Sequence, residues 1–298
     1  MRSSPASSSS TASSSSHSQP DARARLLLLT GEPGDELAAS LYQAAFAASA
    51  VDATCELRTI GSDGLGDAVA AMRRDPGVIG AAVLMPHTVP IGRWLDGLGP
   101  EAQVIKAVNT VSHRAGALIG WNTDRTGFSL ALEEAGYQSK GRPALVLGAG
   151  GAARAAVDAL RETASKIWVS SRDLDEARAV CQDLQVHTGG PTPFGSLSLV
   201  VRKVELIVNA TPVGSHGEAT LFPIDWLSPA HFVFDLVYQP AITPLVRGAR
   251  ARGARAINGI SMLLLQGLAA FEIWTGMPAP EAAMRSALER AVVGRLTS

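Results

Sequence analysis

The amino-acid sequence predicts an α/β protein built as two open α/β domains. Strand and helix patterns alternate twice along the chain, from Leu26 to Met85 and again from Pro143 to Ile257. A hairpin pattern separates the two runs, and a glycine-rich turn joins the first strand of the second run to its helix.

The first run opens on Leu26–Thr30, a short apolar strand. An Ala-rich helix over Glu36–Ala50, an alternating strand over Thr54–Ile60 and a helix over Leu65–Arg74 follow, the last stopped by Asp75-Pro76-Gly77. Val78–Met85 is an apolar strand ended by Pro86, so this part reads as a mainly parallel sheet. Ala107–Ser112, a turn at His113-Arg114-Ala115-Gly116 and Ala117–Trp121 form the hairpin signal. Asp124 opens a helix to about Ala135, and an Asp there is ordinarily an N-cap. In the second run the expected strands are Ala144–Leu147, Lys166–Ser170, Glu205–Asn209, Phe232–Asp235 and Ala254–Ile257. The helices are Gly151–Arg161, Asp173–Leu184 and Pro244–Arg252, and Gly259–Trp274 and Pro280–Arg295 close the chain.

Composition narrows the class. The chain has 298 residues, 46% apolar and 18% charged, enough for two domains with cores. A net charge of -1 gives no reason to expect nucleic acid or anionic membranes as partners, and no apolar run approaches the roughly 18 residues of a membrane span. Cys55 and Cys181 lack metal-ligand spacing and read as buried thiols suited to a reducing, cytoplasmic setting. Residues 1–24 read as a disordered Ser-rich tail, because Ser, Ala and Thr bury too little apolar surface to offset ordering. The tail is poor in acids and carries Arg2 and Arg23, so an organelle transit peptide stands beside the simpler reading of a dispensable extension. A small-molecule substrate is the expected partner, and a homodimer is compatible with the sequence.

The glycine-rich turn carries the first chemical signal. Leu147-Gly148-Ala149-Gly150-Gly151-Ala152-Ala153 has the G-x-G-x-x-A pattern between a strand and a helix. Gly148 permits the tight turn, Gly150 the close approach of backbone to a pyrophosphate, and Ala153 the packing of helix on strand. The helix N-terminus adds free N–H groups and a favourable dipole, so a nicotinamide dinucleotide is expected over Gly148, Ala149, Gly150, Gly151 and Ala152. The next strand ends at Ser171-Arg172-Asp173, where Arg172 argues for NADP and Asp173 for NAD; the balance leans to NADP.

Four further motifs narrow the reading: Ala107-Val108-Asn109-Thr110-Val111, Asn122-Thr123-Asp124-Arg125-Thr126-Gly127, Asn209-Ala210-Thr211-Pro212-Val213-Gly214, and Asp235-Leu236-Val237-Tyr238-Gln239-Pro240 with Thr243-Pro244-Leu245. With Asn258-Gly259-Ile260-Ser261-Met262-Leu263 and Gln266, and in this order, the chain from about Leu28 to Gly276 resembles the shikimate and quinate dehydrogenases. The resemblance implies a substrate-binding first domain over 25–123, completed by C-terminal helices over 259–298, and a Rossmann nucleotide domain over 124–258. It implies that Asn109, Asp124, Tyr238 and Gln266 face a hydroxylated ring substrate. Arg172, Thr211, Leu236 and Gly259 would line the cofactor with the glycine turn. Asn122-Thr123-Asp124 and Asp235–Tyr238 argue against a folate-type methylene dehydrogenase.

The chain also departs from that family. The resemblance places a proton-transferring lysine beside the aspartate, yet Ala82-Val83-Leu84-Met85-Pro86-His87-Thr88 puts Thr88 at the lysine position and Leu84 at a substrate-binding threonine. Counting from Gly31-x-Pro33 to Phe46, the two serines that would hold a substrate carboxylate are Leu37 and Ala39, with Ser40 at the following proline. The lysines of the chain are Lys106, Lys140, Lys166 and Lys203. Lys106, where the family usually has glycine, is a candidate substitute acid, against the plainer reading of a solvated loop lysine. His87 is a second candidate, against a scaffolding role. Two functions remain open: an NAD(P)-dependent dehydrogenase with an altered substrate, or a catalytically inactive nucleotide- or metabolite-binding regulator of the same fold.

Overall fold

The computed structural model describes residues 23–33, 36–217 and 219–296. The Ser-rich tail lies outside the described residues except at its end, where Ala24 already belongs to a strand. The first half contains β1 (Ala24–Thr30), α1 (Glu36–Ala48), β2 (Ala53–Thr59), α2 (Leu65–Arg74), β3 (Val78–Val83), β4 (Gly97–Leu98), α3 (Pro100–Ile105), β5 (Thr110–Arg114) and β6 (Ala117–Trp121). The sheet order is β2-β1-β3-β5-β6-β4. β1 pairs in parallel with β2 and β3, while β5 runs antiparallel to both β3 and β6, as a hairpin should.

The leucine run of β1 is apolar throughout because both faces of its sheet are covered. Leu26 and Leu28 pack with α1 in one core, and Leu27 and Leu29 pack with α2 in another. Burying each such leucine contributes roughly 1.5–3 kcal/mol.

The second half contains α4 (Asp124–Glu134), β7 (Pro143–Leu147), α5 (Gly151–Arg161), β8 (Lys166–Ser170), α6 (Leu174–Asp183), β9 (Gly189–Pro191), α7 (Leu197–Val201), β10 (Leu206–Asn209), β11 (Phe232–Asp235), α8 (Pro244–Ala251) and β12 (Arg255–Ile257). Its sheet runs β12-β11-β10-β7-β8-β9, parallel throughout. Strand order reverses between β7 and β10, which opens a crevice at their carboxyl ends. Here too side chains alternate: Ala144 and Val146 face the core beneath α4, α5 and α6, Leu145 and Leu147 that beneath α7 and α8.

α9 (Ile260–Thr275) and α10 (Glu281–Leu296) return to the first half. α9 is apolar nearly all round because both domains bury it. Leu263, Leu264, Phe271 and Trp274 join α1 in the first core, while Met262 and Leu265 join the second. Trp274 donates from Nε1 to the Val111 carbonyl at 2.9 Å and meets Tyr42 edge to face, with ring centroids 5.0 Å apart. Where α9 crosses α4, a Cβ on Gly127 would stand 2.8 Å from both the backbone N and the Cβ of Gln266.

Several expectations shift. The helix expected to Ala50 ends at Ala48, and Ala50 itself turns into the left-handed region at φ 52. The strand expected from Ala107 begins at Thr110, since the Val108 and Asn109 N–H groups donate to the Thr88 and Trp121 carbonyls instead. Asp173 caps α6 rather than opening it, accepting from the Asp175 N–H. Both cysteines are free, and burial pushes their thiols up to about 12 at Cys55 and about 11 at Cys181, which leaves them poor nucleophiles. Among the described residues no helix is long and apolar enough to cross a membrane.

The α4–α9 contact yields a stability prediction. Gly127→Val must push the two backbones apart, and a loss of about 1–3 kcal/mol is expected. Urea unfolding measures it; an unchanged midpoint would mean that α9 moves freely over α4.

Candidate functional site

A polar cluster lies where β5, α4 and α9 meet. Asn109, immediately before β5, is buried, and its Nδ2 lies 2.9 Å from Thr123 Oγ1, 2.8 Å from Asp124 Oδ1 and 3.2 Å from Gln266 Oε1. Its two hydrogens are thus shared among three acceptors. The orientation of the amide is fixed from the other side, where Oδ1 accepts from the Thr123 N–H at 2.8 Å and from Thr110 Oγ1 at 3.2 Å. Thr123 Oγ1 also donates to Gln266 Oε1 at 3.2 Å, and Gln266 Nε2 donates to the Leu263 carbonyl at 3.0 Å and reaches the Tyr42 hydroxyl at 3.5 Å.

The cap position of α4 belongs to Thr123, and Asp124 is the first helical residue. The ordinary N-cap reading of Asp124 is therefore not realised. Its Oδ1 meets Asn109, and its Oδ2 has no protein partner among the described residues. The residue as a whole is half-buried, yet burial pushes its carboxyl up to about 6, with the Asn109 hydrogen bond opposing. No cation takes part in that balance.

The other half of the cleft is the glycine turn. A Cβ on Gly148, at φ 116, would sit 2.7 Å from the Ala210 carbonyl, so only glycine lets β7 turn against the end of β10. Gly150 precedes α5 with no side chain capping it, which leaves the first N–H groups of the helix open to an anion. Thr211, beyond β10, is held by its own N–H and hydroxyl on Asn209 Oδ1 at 3.0 and 2.7 Å. Asn209 in turn donates to buried Asp235, which also accepts from Thr243 Oγ1 and the Val237 N–H. Burial raises the Asp235 carboxyl, and these three donors oppose it. Gly259 lies so close to Leu236 that a Cβ would stand 2.1 Å from its carbonyl oxygen. Arg172 is exposed and makes no ion pair among the described residues, while the Asp173 carboxylate is occupied as a helix cap.

The two candidate substitute acids are each held by another partner. Lys106 stands in the left-handed region at φ 57, ends α3, and pairs with Asp183, which also pairs with Arg154. Arg154 further donates to the Ile105 carbonyl at 3.0 Å, so this cluster ties the two domains together. His87 is buried with Nε2 against the Ile60 carbonyl at 2.9 Å. Thr88 is buried against α5, its Oγ1 2.6 Å from where a Gly151 Cβ would stand. Leu84 and Tyr238, both half-buried, pack on the apolar cluster that holds Leu37 and Tyr42. Ser40 turns its hydroxyl back onto the Leu37 carbonyl at 2.8 Å. Sequence reasoning missed Thr123 and Tyr42. Thr123 lay within a quoted motif, while nothing in the sequence distinguished the Tyr42 hydroxyl from core packing.

Two α/β domains, one with a dinucleotide-type turn and the other bordered by an amide–carboxylate cluster, have the architecture of a nicotinamide-dependent dehydrogenase. The family models agree: the shikimate dehydrogenase substrate binding domain matches residues 34–111, and the shikimate 5'-dehydrogenase C-terminal domain matches residues 259–289. A shikimate dehydrogenase (NADP(+)) of Citrifermentans bemidjiense is 39% identical over 271 residues, 88% of this chain and 92% of that protein. The shikimate 5-dehydrogenase of Thermus thermophilus, solved with NADP(H) and shikimate, is 34% identical with a TM-score of 0.79, covering 90% of this chain and 99% of that one. The ligand-free 5-ketofructose reductase of a Gluconobacter strain is 27% identical with a TM-score of 0.74, covering 91% and 100%. The chain belongs to the shikimate dehydrogenase family, as its motifs implied.

The Asp124 environment has a measurable consequence. The folded chain holds the Asp124 proton more tightly than the unfolded chain, whose aspartates ionise near about 4. The residue therefore favours folding below that pH, and the gain is lost as the pH rises through about 6. Asp124→Asn, which keeps an acceptor for Asn109, is expected to raise thermal stability relative to the unmodified protein at about pH 8 and by less at about pH 5. Equal offsets at both values would mean that the carboxyl is not strained by burial.

Proposed function

We propose that the protein is an NADP-dependent oxidoreductase that moves a hydride between nicotinamide and a ring alcohol or ketone of the shikimate or quinate type, or an altered relative of these, with Asp124 as the group that exchanges the hydroxyl proton. The observation that carries the reading is Asp124 itself, with one oxygen fixed by Asn109 and the other open beside Gln266's amide network. The dinucleotide fits the residues present: Gly148 and Gly150 clear the backbone, the N-terminus of α5 is uncapped, and Thr211, Leu236 and Gly259 border the crevice. Arg172 is exposed and free for a 2′-phosphate, while one oxygen of Asp173 is taken up in capping α6, which favours NADP.

When bound, the dinucleotide supplies the carbon that takes or gives the hydride. Asn109, Gln266 and Tyr238 orient the substrate ring. In oxidation, the Asp124 carboxylate accepts the hydroxyl proton as the carbon gives up its hydride; in reduction, the protonated carboxyl returns it. Lys106 and His87 take no part, because Asp183 and the Ile60 carbonyl hold them. The free thiols suit a cytoplasmic protein. Thr88 at the lysine position favours one other reading, a regulator that binds nucleotide or metabolite without turnover.

Following nicotinamide absorbance with ring alcohols and ketones decides between them. Turnover is expected, and Asp124→Asn should lower kcat by about 10²–10⁴-fold. For oxidation, kcat/KM should rise through pH about 6 and then level, because the carboxylate form is the base; for reduction it should fall over the same range. Arg172→Ala should weaken NADP binding by at least about tenfold in calorimetry and leave NAD binding nearly unchanged. Full activity in Asp124→Asn would remove Asp124 from the chemistry, and nucleotide binding without any turnover would favour the regulator.

A further inference from the structure

The geometry points to a substrate that carries no charge: a neutral polyhydroxy ketone or alcohol, rather than a ring carboxylate. This rests on the oxidoreductase reading above and specifies the substrate of that site.

The charges around the cluster carry the inference. Its polar groups are the Asp124 carboxylate, the amides of Asn109 and Gln266, and the hydroxyls of Thr123 and Tyr42. Each cation on the adjoining elements is committed elsewhere. Arg125, next to Asp124 in the chain, donates to Asp158 at 2.7 Å and reaches Glu162. Arg154 and Lys106 share Asp183, and His87 faces a carbonyl. The raised carboxyl of Asp124 says the same: burial and one amide set it, and no positive group lowers it. A carboxylate ligand would therefore enter a half-buried site that already holds one uncompensated negative charge. Two like charges a few ångströms apart in such a place repel strongly and lose their hydration as well.

At the positions where the resemblance places carboxylate donors, the chain offers none. Leu37 is buried, Leu84 lies against the same apolar cluster, and Ala39 offers no polar atom. Ser40, the nearest hydroxyl on that turn of α1, spends its hydrogen on the Leu37 carbonyl. A neutral ligand needs no anion donors at those positions, and its hydroxyls can meet the amides and the aspartate. A protein of similar fold is named a 5-ketofructose reductase, after an uncharged polyhydroxy carbonyl compound.

The test uses the full-length protein with NADP(H) and matched pairs: quinate and shikimate against their carboxamides, with 5-ketofructose as a neutral carbonyl. The neutral compounds are expected to show kcat/KM at least about tenfold above the carboxylates, the scale on which unpaired polar groups are discriminated. The double substitution Ala39→Ser with Leu84→Thr, checked by circular dichroism for folding, should narrow that ratio by returning hydroxyl donors to those positions. Carboxylates turned over as well as their carboxamides would overturn the proposal while leaving the oxidoreductase reading intact. Turnover of neither class, with NADP binding intact in calorimetry, would overturn both. A neutral preference that the double variant leaves unchanged would overturn the missing donors as its cause.

Discussion

The backbone contact between α4 and α9 at Gly127 is the constraint on which the site depends. Asp124 opens α4 and Gln266 sits midway along α9, and these helices come from opposite ends of the second sheet's chain. Only a residue without a Cβ lets the two approach until Gln266 reaches Thr123 and Asn109. α9 can lie there because its apolar faces are buried by both domains at once, with Trp274 tied to the β5 backbone and Met262 in the second core. The polar cluster is thus assembled from three separated segments, and its precision comes from helix packing rather than from loops.

Much of the fold was legible because local patterns and tertiary burial agree. The leucines of β1 and the apolar run of β7 each face helices on both sides, so a continuous apolar strand was the right reading. Glycine positions in the turn after β7 were legible for the same reason: only one backbone geometry satisfies them. Short elements escaped, since α3 and α7 span about a turn or two and carry little periodic signal. The role of Lys106 was also hidden. A glycine-like backbone conformation and a partner 77 positions away, Asp183, hold it, and neither shows in a linear reading. Tyr42 escaped because a tyrosine on an apolar helix face looks like core; only its hydroxyl, beside Gln266, says otherwise.

Asp235, buried, and Asp124, half-buried, show how the same physics yields scaffold and site. Burial raises both carboxyls. Asp235 is met on both oxygens, by Asn209 and the Val237 N–H on one and Thr243 on the other, and so pins the loops that follow β10 and β11. A carboxylate met by donors on both oxygens and fully buried is a scaffold group, closed to a ligand by its surroundings. Asp124 has a single protein donor, on one oxygen, and its second oxygen keeps its lone pairs for another donor. The asymmetry leaves Asp124, and not Asp235, with an oxygen free of protein donors, which is why the proposed chemistry is assigned to it.

That open carboxyl also makes the sequence departures cohere. A lysine at position 88 would have offset the charge of Asp124 and allowed a second carboxylate nearby. With Thr88 there instead, packed under the start of α5, a half-buried anion stands alone. A ligand carboxylate would then need donors of its own, yet Leu37, Ala39 and Leu84 offer none and Ser40 is turned away. Each change by itself would leave a mismatched site: serines without the lysine would draw an anion toward Asp124, and a lysine without the serines would leave the ligand carboxylate unheld. Made together, they fit the neutral ligand proposed above, one that brings no charge of its own to a site with a single carboxylate.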